Sequence, residues 1–283
     1  LLFHGDVNVD GLHFPFKIDQ HGERLLLSDA VGMPVDVMDV PALRVDHSHG
    51  RSIDGGATLY IFAQPTPGTA NNSLGYIGYA PAPELDRSPG FHNNPLSVQV
   101  SGCTECMVHF TVDGRLPDMN SASVSGAIAI NNTTTLKAIA YRPQHLPSDV
   151  TSATYFINSA TDLPVVALST HPDSLFDEEI GLYMLGPEAD TVYPYWGANF
   201  WDERGVAVRF EYFDEQGVRR IDQDVELRIH GGRASRNKPQ RPLRLTARDE
   251  LGDDRIRYPF FPEKPELDAF KRIILRNSGS DWC

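Results

Sequence analysis

The chain is patterned in short alternations of apolar and polar residues. Phe14, Phe16 and Ile18 alternate, as do Leu25 and Leu27, and Val35, Val37 and Leu43 continue the pattern. A period of two predicts half-buried strands, and no helix of ten residues is expected over 14–72. Residues 20–22 read as a turn between the first two runs. Further turns are expected at Asp54-Gly-Gly56 and Pro65-Thr-Pro-Gly68. Residues 73–92, with Ala80-Pro-Ala-Pro-Glu84 and Ser88-Pro-Gly90, read as a connector too rich in proline for a regular element. Strands are then expected at 97–100, 108–112, 127–130, 136–141 and 151–157, with turn residues between them, the spacing of a small sandwich. After Asn158-Ser-Ala-Thr-Asp162 the texture becomes more aromatic and more charged. Strands are expected at 163–169, 206–213, 225–230, 243–247 and 270–275, with a short helical turn at 172–178, so the third segment reads as α+β.

Length allows two or three domains for 283 residues. A hydrophobic share of 41% excludes a disordered chain. Asp and Glu number 38 against 25 Lys and Arg, a formal net charge of −13. That balance argues against a nucleic-acid partner and against docking on an anionic membrane. No apolar run approaches 18 residues, so no membrane insertion is expected. The chain starts at Leu1 without a signal segment and stops at Cys283. Both ends read as cut from a longer protein.

Three sets of residues resemble known families. Phe16-Lys-Ile18, Gly22 to Asp29, Val35-Asp36, Ser48-His-Gly-Arg51, Asp54-Gly55 and Pro65 to Gly68 with Asn71 resemble the lamin-tail domain. That resemblance implies an immunoglobulin-like β-sandwich over 1–72. Phe91 to Val98, Val108 to Gly114, Pro117, Thr133 to Tyr141, Leu146-Pro-Ser148 and Ala153-Thr-Tyr155 resemble the β-sandwich at the C-terminus of chitobiases and hexosaminidases. It implies a spacer or accessory role for 91–157, after a Pro-rich linker at 73–90. The third set runs from Leu163-Pro-Val-Val through Tyr195 to Trp201 and Leu227 to Arg236. It continues with Pro239 to Leu245, Tyr258 to Phe261 and Phe270 to Asn277, and ends at Asp281-Trp282. This resembles the start of a CotH-type spore-coat kinase domain, an atypical protein kinase, over 158–283. The fold class expected is therefore mainly β: two immunoglobulin-like β-sandwiches followed by a partial α+β kinase-like domain.

The chemistry of the third set fits a nucleotide site. A strand runs into Gly231-Gly232, where bare backbone lets N–H groups approach an anion, and Arg233, Arg236 and Lys238 follow with positive charge. The resemblance places a lysine at the position of Arg241, whose planar fork is not equivalent to an ammonium. From Arg228 to Arg248 there are six Arg, one Lys and no acid, which reads as a local positive patch. On spacing alone, Gly231-Gly232 reads equally as a hairpin turn with a solvated basic loop. In the parent protein the resemblance implies Mg and ATP as cofactors and a protein substrate. The family's catalytic and magnesium-binding acids fall beyond residue 283, so this chain is expected to transfer no phosphate. The alternative is a non-catalytic cell-surface adhesion or scaffold protein that binds a surface polymer.

The remaining candidates have plain structural readings beside the functional ones. Asp6, Asn8 and Asp10 mimic the first half of a calcium loop, but Lys17 stands where the closing Glu belongs, and a polar entry loop is preferred. His47 and His49 can share a strand face as metal ligands, yet sit at an expected turn. Cys103 and Cys106 read as a local disulfide in an exported protein, or as two free thiols in a reducing compartment. Tyr193, Tyr195, Trp196, Phe200 and Trp201 read as core, with a sugar-stacking platform as the alternative. An extracellular or cell-surface location is expected.

Overall fold

The computed structural model describes residues 18–19, 21–53, 55–233 and 235–277. The alternation of Phe14 with Phe16, the calcium-like loop at 6–11 and Cys283 lie outside the described residues. The chain divides into two compact units.

The first unit spans residues up to Pro81 together with the loop Tyr141–Ser148. Strand β1 (Gly22–Ser28) pairs antiparallel with β2 (Pro34–Pro41), Leu25 opposite Met38 and Leu26 opposite Val37. Strands β3 (Ser48–Arg51), β4 (Leu59–Phe62) and β5 (Gly75–Tyr76) form a three-stranded sheet in that order. Its core is small. Ile61, Phe62, Ala80 and Leu146 are buried, and paired backbone bonds tie Leu146 to Gly78 and Ala80.

Among the described residues the second unit holds two five-stranded sheets and three two-stranded ladders. Its first part contains β6 (Glu84–Leu85), β7 (Gly90–His92), β8 (Leu96–Val98) and β9 (Val100–Ser101). It continues with β10 (Met107–Thr111), β11 (Ala122–Ser123), β12 (Ile128–Ile130), β13 (Thr134–Tyr141) and β14 (Thr151–Ile157). A five-stranded sheet ordered β11-β10-β13-β14-β7 faces the ladders β12-β8 and β6-β9. Val98, Ile130, Leu136, Ala153 and Tyr155 fill the space between. Tyr155 is fully buried and donates its hydroxyl to the Arg87 carbonyl at 3.0 Å; burial pushes its pKa up to about 12. Three short strands, β5 to β7, thus fall inside the stretch expected to carry none. Ladders of two or three residues fit between the prolines, because Pro81 and Pro83 stand outside them.

The second part is a five-stranded antiparallel sheet ordered β15-β16-β17-β18-β21. It is built from β15 (Val165–Ser169), β16 (Val206–Phe213), β17 (Arg219–Ile229) and β18 (Leu243–Thr246). A small ladder joins β19 (Ile256–Arg257) to β20 (Ala269–Phe270), and β21 (Arg272–Leu275) closes the large sheet. Among the described residues helix is nearly absent: α1 covers only Asp173–Phe176, and 3-10 turns lie at Asn199–Trp201 and Asp249–Leu251. The chain is mainly β, with the α+β texture expected here reduced to these turns.

Alternation divides this sheet sharply. Val208, Phe210, Val225, Leu227 and Leu245 face a core completed by Leu182, Ala198 and Phe200 from the preceding loop. The other face carries Arg209, Glu211, Asp222, Asp224, Glu226 and Arg228. Ser152, Thr154 and Phe156 on the outer side of β14 meet part of that face. Glu211, 1% exposed, accepts from Thr154 and from Arg219 (2.8 Å), and Arg219 also reaches the Ser152 carbonyl. Phe91 and Phe156 stack face to face beside them, and Phe213 meets both rings edge-on. The backbones close up here at two glycines: a Cβ on Gly90 would press on the Gly217 carbonyl, and Gly90 has φ +120°. Burial pushes Asp224 up, partly offset by Arg209 and Lys137, and pushes Lys137 down, partly offset by Asp224.

Candidate functional site

Strand β17 delivers the chain to His230, whose N–H bonds the Pro242 carbonyl at 2.8 Å and closes the neck of the Gly-rich loop. Gly231 has φ +93°, and a side chain there would run into the Ser235 hydroxyl. Backbone N–H groups of Ser235 and Arg236 both turn back onto the Gly232 carbonyl at 3.0 Å. Gly231, Gly232, Arg233 and Lys238 are exposed.

The other two expected site residues face inward. Arg236 is 6% exposed. Its Nε donates to the Gly231 carbonyl (2.8 Å), its Nη1 to the Trp201 carbonyl (2.9 Å), and its Nη2 pairs with Glu203. Arg241 lies between the rings of Tyr183 and Phe200, 4.7 and 4.3 Å from their centroids. Burial lowers its pKa, with Tyr183 opposing. The loop thus brings Gly231, Gly232 and Arg233 together at the surface and spends Arg236 and Arg241 on holding the loop to the 199–203 turn and the core.

The basic stretch is also less basic in space than in sequence. Arg228 grips Glu226 through two bonds of 2.7 and 3.0 Å, and Arg248 reaches the same carboxylate at 2.9 Å. Burial alone would raise the Glu226 carboxyl, but the hydrogen bonds from Arg228 and Arg248 hold it below its ordinary value. Arg244 stands 3.7 Å from Glu203. The compensating acids come from upstream of Arg228, outside the window that looked uniformly positive.

Residues 98–155 match the Fn3-associated family. The match runs from the end of β8 to β14 and covers the β-sandwich alone. The Gly-rich loop and the whole sheet from β15 onward lie outside it. A search of curated proteins finds no match for the chain.

Beside the Gly-rich loop, the segment 193–204 presents aromatic rings at the surface. Tyr195 holds φ +62°, unusual for a residue with a side chain. Tyr193 is 54% exposed and Trp196 51%, whereas Phe200 is buried. Trp196 lies on Trp201 with ring centroids 4.5 Å apart, and the Trp201 indole donates to the Pro194 carbonyl at 3.0 Å. The aromatic set therefore splits: Phe200 is core, and Trp196 and Tyr193 are surface. Trp201, on which Trp196 lies, lines a cleft of about 490 Å³ together with Glu179, Glu188, Asn199, Asp202 and Arg204. In the sequence Glu179 stands out only as part of the run Asp177-Glu178-Glu179, which reads as solvated surface, and nothing in the spacing groups it with Glu188 and Asp202.

The other candidates are structural in form. Cys103 is joined to Cys106 as a disulfide, Cα atoms 5.5 Å apart. His47 Nδ1 sits 2.7 Å from the Tyr79 hydroxyl, with the rings stacked. His49 enters β3 opposite Ile61. Among the described residues no group of three or more His, Cys, Asp and Glu converges to hold a metal. No helix there is long and apolar enough to cross a membrane.

Proposed function

We propose that this chain belongs to an exported, CotH-like multidomain surface protein, in which it binds and presents without transferring phosphate. The inward turn of Arg236 and Arg241 carries this reading. A phosphate-binding arginine needs free donors aimed at solvent. The Arg236 donors are engaged with Gly231, Trp201 and Glu203, and Arg241 is packed between two rings. The Cys103–Cys106 disulfide favours an oxidising, extracellular or cell-surface setting. Partners of this reading are a surface polymer or a neighbouring surface protein.

A second reading keeps the parent as an atypical protein kinase using Mg and ATP. The exposed cluster of Gly231, Gly232, Arg233 and Lys238 favours it, since open glycine backbone flanked by cations suits a phosphate. Calorimetry of the full chain with ATP and Mg²⁺ separates the two. The first reading expects no binding heat at millimolar ATP. Saturable binding that Arg233→Ala abolishes would overturn it in favour of the second.

A further inference from the structure

The exposed tryptophan and the cleft beside it have no role in either loop or core. Trp196 gains little from burial, yet it is held in place from below by Trp201, which Pro194 in turn anchors. A flat ring kept rigid at half exposure suits a ligand with an apolar face. The cleft volume lies within the about 300–1,000 Å³ of small-molecule sites.

The wall beyond Trp201 decides what else that ligand carries. Glu179 and Glu188 offer acceptors with no ion pair among the described residues. Asn199 spends its amide N–H groups on the carbonyls of Glu179 and Gly181, at 2.9 and 3.1 Å. Arg204 holds a buried Nε with no hydrogen bond, 3.5 Å from the Asp202 carboxylate. The cleft therefore wants a partner that both donates and accepts. Three carboxylates against one guanidinium repel an anionic ligand. A cationic ligand would supply donors only and face the guanidinium of Arg204, whose side chain is 34% exposed, as a like charge.

We propose that Trp196, with the cleft between residues 179–188 and 197–204, binds a neutral sugar ring of a polysaccharide. The C–H face of the ring rests on Trp196. Its hydroxyls donate to Glu179 and Glu188 and accept from Arg204. The inference rests on the binding-and-presenting reading above and names its polymer.

Native affinity electrophoresis of the full chain tests it, in gels containing a soluble neutral β-glucan, xylan or galactomannan. At least one is expected to retard the chain, with affinity lost about tenfold in Trp196→Ala. If that variant melts below the parent, Glu188→Gln at an exposed carboxylate replaces it, with an expected loss of about threefold. No retardation by any of the three polymers, or retardation unchanged in these variants, overturns the proposal. So does binding to oligolysine that weakens in Glu188→Gln, which would make the site one for a basic peptide. ATP binding alongside intact polysaccharide binding would sink only the non-catalytic reading.

Discussion

The strand pairs β1–β2 and β13–β14 are built from similar alternations and meet opposite fates. In β1–β2 no residue is fully buried, and Leu26, Leu27 and Val35 are 59%, 61% and 65% exposed. In β13–β14 even the polar positions are buried, including Lys137, Ser152 and Thr154. One face of β13–β14 closes on the sandwich core, and β16 with its charged side covers the other. Alternation tells which two faces differ. What lies against each face is a long-range fact, and it sets the burial.

Several substitutions press on that contrast. Phe213→Ala removes a fully buried ring from the Phe91–Phe156 stack, and should cost about 3–5 kcal/mol in urea unfolding of the full chain. A cost below about 1 kcal/mol would mean that the two sheets of the second unit are not one cooperative layer. Glu211→Ala leaves Arg219 without its buried partner and should cost about 3 kcal/mol by the same measurement. A neutral result would remove the ion pair from what holds the sheets together.

Smaller effects belong to the first unit. Burial lowers the pKa of both His47 and His49 below the ordinary 6.5, Arg44 adding to the shift at His47. Below pH 6.5 the unfolded chain takes up protons that these folded histidines refuse. Stability of the first unit should therefore hold above pH 6.5, decline as pH falls below it, and level off once both folded histidines are charged. Hydrogen exchange of β3 and β4 between pH 7.5 and 5 reads this decline; a slope surviving His47→Gln with His49→Gln would assign it elsewhere. Leu26→Ser, on the open hairpin, should change stability by less than about 0.5 kcal/mol. A loss several times larger would erase the contrast with β14.

Much of the strand order was legible, because β10, β12, β14, β16 and β18 each carry a run of apolar residues at period two. The largest shift is at β17, which begins at Arg219, six residues before the apolar run that starts at Val225. The polar start of β17 is a strand because Asp222 and Asp224 pair with Arg209 across the ladder. The site was less legible. Arg236 and Arg241 read as free cations, and only the return of 182–203 against the loop shows what occupies them. The same return brings Glu203 to Arg236 and Arg244, and it sets Trp201 beneath Trp196. Neither arrangement has a spacing signature.

The loop Tyr141–Ser148, counted with the first unit, bears on how that unit can be inherited. Arg44 donates to the Pro147 carbonyl, Tyr79 pairs with Leu146, and the Ile77 N–H bonds the Gln144 carbonyl. A gene segment encoding only residues 22–81, moved into another protein, would arrive without these partners. Shuffling can pass this unit on whole only when it carries the β13–β14 hairpin along, so the two inherit as one cassette.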